Sequence, residues 1–101
     1  MDRTVSGDGV DVTDNPVRMR YEIHVGETLA GIATYRRHEG KVEFLHTEVD
    51  HEFEGRGLAG QLARGALDDV RARGLRAVPL CPFIASWIER HPDYADLVAD
   101  R

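Results

Sequence analysis

The first half of the chain alternates apolar and polar residues, and this pattern predicts three β-strands. In residues 19–25, β-forming side chains occupy every second position, which is typical of a half-buried strand. Residues 29–37 predict a second strand and residues 42–49 a third, with a glycine-containing hairpin turn at residues 38–41. Consecutive strands joined by short turns indicate an antiparallel meander.

The third predicted strand has no purely apolar face. Strict alternation divides its side chains between two faces, the first with Phe44, His46 and Glu48, the second with Glu43, Leu45, Thr47 and Val49. Because a strand that only packs a core would have one apolar face, the mixed pattern indicates that this strand borders a site.

The second half of the chain predicts a helix, a strand and a further helix. After a glycine-rich stretch, apolar residues recur at helical spacing and form one stripe: Ala59, Leu62, Ala63, Ala66, Leu67 and Val70. Gly74 is suited to end this helix, residues 75–80 are short and apolar like a buried strand, and Pro82 opens a helix that stops before Pro92. The sequence therefore predicts an α+β fold, with a mixed β-sheet made of an antiparallel meander and a βαβ crossover, and two main helices.

Composition indicates one small domain in the cytoplasm. Residues 1–17 are polar and lack apolar periodicity, which predicts a flexible N-terminal arm ahead of a single domain over residues 18–101. The net charge of −5 disfavours nucleic-acid binding, and no apolar run or export signal indicates a membrane or secretion. Cys81 is the only cysteine and the five histidines lack short ligand spacing, so we expect no disulfide and no metal.

The glycine-rich stretch Glu54-Gly55-Arg56-Gly57-Leu58-Ala59-Gly60 lies between a predicted strand and a helix. The first N–H groups of a helix have no intrahelical partner, so this position favours a phosphate-bearing ligand. Residues 55–60 also satisfy the dinucleotide pattern G-x-G-x-x-G, but they follow a meander and no acidic residue occurs between Leu75 and Trp87. No Gly-Lys-Ser/Thr follows either, so an NAD or ATP enzyme is disfavoured.

This arrangement resembles the GNAT superfamily of N-acetyltransferases, whose signature Gln/Arg-x-x-Gly-x-Gly/Ala aligns with residues 54–59, where Gly57 and Ala59 match it. The resemblance runs from about Tyr21 to Leu97. It is closest to the very small single-domain GNAT-like proteins that have a Cys-Pro-Phe motif followed by His-Pro-x-Tyr, here at residues 81–83 and 91–94. The resemblance implies an acetyl-coenzyme A-dependent transfer to a primary amine, with acetyl-coenzyme A as cosubstrate.

By this resemblance, the glycine loop would bind the coenzyme A pyrophosphate through its backbone amides, and Val49 would mark where a strand pairs with the pantetheine arm. The implied binding residues are Val49, Gly55, Arg56, Gly57, Leu58, Ala59 and Gly60. The alternative for Gly55 and Gly57 is a tight turn with a helix cap. Glu54 replaces the usual Gln or Arg, so we expect its side chain to point outward.

Cys81 is a candidate catalytic residue. The tyrosine that many GNAT members use as general acid is absent, since the nearest equivalents are Glu89 and Ile88. Cys81 precedes Pro82 and would occupy the N-cap of the last helix, where the helix dipole favours a thiolate. It could accept the acetyl group, protonate the leaving thiolate, or only pack the strand end.

His46 and Glu48 are candidate general bases, because the attacking amine must lose a proton. Either could instead be a solvated strand residue. We expect a monomer whose acceptor is a small-molecule amine or a polypeptide lysine. The alternative function is a noncatalytic module that binds coenzyme A or a protein partner on the same scaffold.

Overall fold

The computed structural model describes residues 4–5 and 9–99. They form six strands and two α-helices: β1 (Thr4–Val5), β2 (Val10–Asn15), β3 (Arg20–Val25), β4 (Thr28–His38), β5 (Lys41–Val49), α1 (Leu58–Ala72), β6 (Arg76–Pro79) and α2 (Pro82–Arg90). Short 3-10 helices at His51–Phe53 and Pro92–Leu97 follow β5 and α2. The strands lie side by side in sequence order, antiparallel except for the parallel pair β5 and β6.

The predicted fold class is confirmed. Strands β3, β4 and β5 form the antiparallel meander, and β5, α1 and β6 form the parallel crossover. The hairpin between β4 and β5 turns at Glu39 and Gly40, both with positive φ, as a tight two-residue turn requires. Gly74 has φ 71° directly after α1, and Leu75 N donates to Val70 O, so the predicted glycine cap is also confirmed.

The prediction of a flexible arm over residues 1–17 is wrong where β2 forms. Val10–Asn15 pairs with β3 along its whole length. Two valines, one buried and one partly buried, pack this strand against the core, and Val12 lies directly under α1, where a Cβ added at Gly65 would come within 2.7 Å of it. The alternation of apolar and polar residues in β2 is short and lies among Asp, Thr and Asn residues, so the sequence did not predict this strand. Residues 1–3 and 6–8 lie outside the described part of the chain.

Both helices pack on the same face of the sheet, where they cover the apolar core. Phe44 and Ile23 from the sheet and Leu62 and Leu67 from α1 are fully buried there, and Ile84 of α2 extends the same cluster. Burial of such side chains is the main favourable contribution to folding. Within the described residues, the opposite face carries no helix, and we call it the open face.

A β-bulge in β5 overturns the predicted assignment of its two faces. Tyr35 pairs with Phe44 and Thr34 pairs with His46, so Leu45 is an extra residue without a partner in β4. The extra residue reverses the alternation beyond it. Phe44 therefore faces the helices, whereas His46 and Glu48 face the open side, and the prediction that these three share a face is wrong.

Two buried tyrosines donate hydrogen bonds to carboxylates, one of which belongs to α1 and the other to β2. Tyr21 OH donates to Asp69 at 2.7 Å and Tyr35 OH donates to Asp14 at 2.5 Å. Arg73 Nε also donates to Asp69, at 2.7 Å. Burial, followed by these hydrogen bonds to carboxylates, raises the pKa of both Tyr21 and Tyr35 far above the ordinary value. The phenols therefore stay neutral in the folded protein.

Candidate functional site

The site begins where β5 and β6 separate. The two strands pair in parallel from Lys41 opposite Arg76 to Phe44 opposite Pro79, and Cys81 N then donates to Phe44 O at 2.8 Å. Beyond this point β6 leads into α2, whereas β5 continues to Val49. Within residues 4–5 and 9–99, no strand pairs with this edge of β5 after Phe44. The edge of residues 45–49 that faces away from β4 is thus available to an extended ligand.

Cys81 lies at the closed end of this gap. It is the N-cap of α2, as predicted, and Pro82 occupies the first helical position. The thiol is buried, and its Sγ lies 3.4 Å from Thr47 Oγ1. The bulge at Leu45 turns the Thr47 side chain to the helix side of the sheet, where Cys81 lies. A bulge leaves little trace in the residue pattern. Thr47 was therefore not among the predicted site residues.

The glycine loop lies beside the open end of the gap. Gly55 and Gly57 have φ of 80° and 73°, a conformation that side chains other than glycine rarely adopt. Gly57 is the N-cap of α1, so Leu58, Ala59 and Gly60 form the first turn, and their N–H groups have no intrahelical acceptor. A hollow of about 170 Å³ opens here, lined by Val49, Phe53, Glu54, Gly55, Gly57, Leu58 and Ala59. The hollow therefore brings Val49 together with four of the predicted loop residues, whereas Arg56 and Gly60 are not part of its lining.

The two candidate bases lie on the open face. His46 Nε2 is 3.1 Å from Glu48 Oε1, and both side chains are more than half exposed. Neither residue contacts Cys81, which belongs to the core on the helix side of the sheet. A second hollow of about 160 Å³ adjoins Glu48, lined by Arg20, Leu29, Ala30, Gly31, Ile32, Glu48 and Asp50. The candidate catalytic residues are thus divided between the two faces of β5.

A strand gap beside a loop of free backbone N–H groups is what the sequence resemblance implied for an acyltransferase. The sequence profile of the GCN5-related N-acetyltransferase family matches residues 20–97. The chain belongs to this family. The predicted GNAT resemblance is confirmed, whereas the closer likeness to small proteins with a Cys-Pro-Phe motif stays a prediction.

Several vertebrate proteins named NATD1 resemble part of this GNAT chain. The bovine protein is 41% identical over 51 residues, which cover 50% of this chain and 45% of the bovine one. The zebrafish (Danio rerio) protein is 34% identical over 59 residues, which cover 56% and 54%. The chain therefore aligns with only about half the length of these relatives.

The fold of this chain is shared with a solved structure. A Staphylococcus aureus protein described as GCN5-like superposes with a TM-score of 0.68 at 19% sequence identity. The superposition covers 95% of this chain and 93% of the other. At this identity the likeness concerns the fold alone.

The charged side chains of the loop contact neighbouring side chains. The guanidinium of Arg56 lies 5.2 Å from the centroid of the Phe53 ring. Glu54, which departs from the GNAT signature, is exposed as predicted, and its Oε1 lies 3.3 Å from His51 Nδ1. The loop thus offers a ligand mainly its backbone.

The described part of the chain contains no candidate metal site and no helix that could span a membrane. No cluster of three or more potential ligands occurs among residues 4–5 and 9–99. Neither α1 nor α2 has the length and apolar character to cross a membrane.

Proposed function

We propose that this GNAT chain transfers an acetyl group from acetyl-coenzyme A to a primary amine. The observation that carries the proposal is the gap between β5 and β6, with a free strand edge on one side, Cys81 at its closed end and the glycine loop at its mouth. A cosubstrate with a phosphate end and a long amide-containing arm matches both parts of this arrangement.

In the proposed complex, backbone N–H groups of residues 55–60 bind the pyrophosphate, since the start of a helix attracts anions. The amides of the pantetheine arm pair with the free edge of β5 as an added strand would. Val49 contacts the arm where it leaves the loop, because Val49 lines the hollow together with Leu58 and Ala59. This path directs the thioester toward Cys81.

The Cys81 thiol has two possible roles in the proposed reaction. In direct transfer, the amine attacks the thioester carbonyl, and Cys81 gives its proton to the departing coenzyme A thiolate. In double displacement, the Cys81 thiolate first takes the acetyl group and releases coenzyme A, and the amine then releases Cys81. Thr47 Oγ1, 3.4 Å from Sγ, can hydrogen-bond the sulfur in either case.

The amine acceptor is proposed to approach from the open face. Because the gap passes through the sheet, a thioester in it is reached from both faces of β5. His46 and Glu48 line the open side, where either can take the proton of the amine. The hollow beside Glu48 also contains Asp50 and Arg20, and because Arg20 is paired with Glu22, the two carboxylates favour a cationic amine. A polypeptide lysine and a small polyamine both fit this chemistry.

The first test is a calorimetric titration with acetyl-coenzyme A, coenzyme A and NAD at the same salt concentration. We expect micromolar binding of the two coenzyme A species and none of NAD. Absence of coenzyme A binding would overturn the proposed function.

The second test compares Cys81→Ala with Cys81→Ser in an acetyl-transfer assay against a panel of amines. If Cys81 acts chemically, alanine lowers kcat by about 100-fold or more, with little change in affinity for acetyl-coenzyme A. Mass spectrometry of the intact protein after mixing with acetyl-coenzyme A distinguishes the two roles, since only double displacement leaves acetyl on Cys81. Unchanged transfer by Cys81→Ala would remove the thiol from the mechanism.

A noncatalytic coenzyme A-binding module is the second candidate. The observation that favours it lies in α2, where Ile88 is buried and Glu89 is exposed at the positions nearest to the GNAT tyrosine. This candidate predicts coenzyme A binding without transfer to any amine in the panel.

A further inference from the structure

The hollow beside Glu48 is lined by an arginine to which the proposed reaction gives no part. This residue is Arg20 of β3. The rest of the lining comes from four small or apolar residues of β4 and from two acidic residues at the end of β5 and just after it: Leu29, Ala30, Gly31, Ile32, Glu48 and Asp50. The hollow therefore presents a cation, two carboxylates and an apolar surface to the same ligand.

Arg20 is held by Glu22 through one nitrogen. Arg20 Nε donates to Glu22 Oε2 at 2.8 Å, and Asn15 Nδ2 of β2 donates to the same oxygen at 3.0 Å. Burial disfavours the charged form of Glu22, but the hydrogen bonds from Arg20 and Asn15 outweigh it and lower the pKa of this carboxyl. Glu22 is therefore a stable anion that anchors the Arg20 side chain beside the hollow.

The terminal nitrogens of Arg20 are available to a ligand. A guanidinium group carries N–H donors on all its nitrogens, and Glu22 occupies only the one on Nε. Among residues 4–5 and 9–99, no group accepts a hydrogen bond from Nη1 or Nη2. The planar fork of these two nitrogens is suited to bind carbonyl or carboxylate oxygens by charge-assisted hydrogen bonds.

The two carboxylates of the hollow each keep one oxygen for a ligand. Glu48 Oε1 lies 3.1 Å from His46 Nε2, and Asp50 Oδ1 accepts a hydrogen bond from Glu52 N at 2.9 Å. Within the described ranges, the second carboxylate oxygen of each residue has no hydrogen-bond donor. An ammonium group can bind there while the Arg20 donors remain free for another part of the same molecule.

We propose that Arg20 selects amine acceptors that carry a carbonyl or carboxylate oxygen at the other end of a short alkyl chain. This inference rests on the proposed function and deepens it, because it separates the two acceptor classes that the carboxylates alone leave equal. A lysine residue has such an oxygen in its own backbone, whereas a simple polyamine has none. The alkyl chain then lies on Leu29 and Ile32, and the oxygen accepts hydrogen bonds from Arg20.

The volume of the hollow fits an acceptor of this size. It measures about 160 Å³, and a cavity of about 150 Å³ is large enough for a molecule such as benzene. A lysine side chain is comparable in size, whereas a helix or strand is much larger. A polypeptide acceptor would therefore insert a single side chain and keep its backbone at the rim.

The direct test compares matched acceptors in an acetyl-transfer assay with the wild-type protein. Nα-acetyl-lysine methylamide has carbonyl oxygens, Nα-acetyl-lysine has a carboxylate as well, and pentylamine and cadaverine have neither. We expect kcat/KM to be about 5- to 20-fold higher for the lysine derivatives than for pentylamine or cadaverine. Equal values for the two derivatives identify a carbonyl as the bound group, and a higher value for Nα-acetyl-lysine identifies the carboxylate. Equal values for all acceptors, or a preference for cadaverine, would overturn the inference.

Arginine variants test whether Arg20 causes the preference. Arg20→Gln removes the guanidinium and should lower kcat/KM for the lysine derivatives about 5- to 20-fold, mainly through KM. Arg20→Lys keeps the charge without the fork and should restore only part of this loss. Arg36→Gln is the matched control, since Arg36 Nε pairs with Glu43 in the same way, at 2.7 Å, but does not line the hollow. An undiminished preference in Arg20→Gln would overturn the role of Arg20.

A binding measurement separates this inference from the proposed function. If the wild-type protein acetylates no amine, the proposed transfer fails, and the NMR methyl signals of Leu29 and Ile32 then report binding in the hollow without turnover. These signals should move with Nα-acetyl-lysine methylamide at concentrations where pentylamine leaves them in place. Equal movement with pentylamine, or no movement with either amine, would overturn the inference.

Discussion

The two halves of β5 differ in almost every respect although they belong to one strand. Residues 41–44 pair with β4 on one side and with β6 on the other, and Val42 and Phe44 are buried. Residues 45–49 pair only with β4 within the described chain, and Leu45, His46 and Glu48 are exposed. The bulge at Leu45 separates a half that stabilises the fold from a half whose unpaired edge is available to a ligand. Stability and function are therefore expected to respond separately to mutation.

The largest effect on stability is expected in the paired half. Phe44→Ala should lower the free energy of unfolding by about 3–5 kcal/mol, because it leaves a cavity in a fully buried position. The next residue is the matched control: Leu45→Ala should change stability by less than about 0.5 kcal/mol, since Leu45 is exposed. Urea unfolding measures both values, and equal losses would contradict the division of β5.

A second pair of variants separates strain from binding. Gly57 and Gly26 both have positive φ with open space where a Cβ would lie, but only Gly57 belongs to the loop at the gap. Alanine at either position should cost about 1–2 kcal/mol of folding free energy. Only Gly57→Ala should also weaken coenzyme A binding, by about tenfold, since one or two hydrogen bonds to a charged ligand are lost. Equal affinity in the two variants would show that the loop is a plain turn.

The difference between the halves also explains what the sequence could predict. Periodicity located β3, β4, β5, α1, β6 and α2, since each has a regular apolar pattern, and glycine and proline marked their ends. It could not show the bulge, because one extra residue at Leu45 reverses the faces without changing the composition. His46 and Glu48 were therefore placed on the wrong face. Thr47 was missed because its place at the site depends on its contact with Cys81, which is far away in the sequence.

Alkaline pH should destabilise the sheet through the two buried tyrosines. Their pKa is raised in the folded protein, so their contribution is fully present below the unfolded value of about 10 and is lost as pH rises above it. Each tyrosine should lower the free energy of unfolding by up to about 1.4 kcal/mol per pH unit above pH 10. Urea unfolding between pH 8 and about pH 11 measures this slope.

Tyr21→Phe and Tyr35→Phe provide the control for the alkaline effect. Each removes one ionisable group, so each should make the slope above pH 10 shallower. If neither variant changes the slope, the loss of unfolding free energy above pH 10 comes from other ionisable groups. The two hydroxyls bond to Asp69 and Asp14 rather than to the glycine loop, so coenzyme A affinity at neutral pH should stay the same.

The smallest effect is expected for the charged side chain of the loop. Arg56 is exposed and its guanidinium lies over Phe53. We therefore expect the backbone N–H groups of the loop to contribute more to coenzyme A binding than this side chain does. Arg56→Ala should weaken coenzyme A binding by no more than about threefold, and less at high salt, because exposed charge pairs are weak and screened. Calorimetry at two salt concentrations measures this, and a loss as large as that of Gly57→Ala would make the side chain a principal ligand.

The most direct test of the account is an NMR map of backbone amide shifts during titration with coenzyme A. We predict that the largest shifts fall on residues 45–49 and 55–60, and that residues 41–44 of the same strand shift little. Shifts concentrated on residues 41–44 or on β2 and β3, or no shifts at saturating coenzyme A, would contradict the claim that the unpaired half of β5 and the glycine loop form the cosubstrate site.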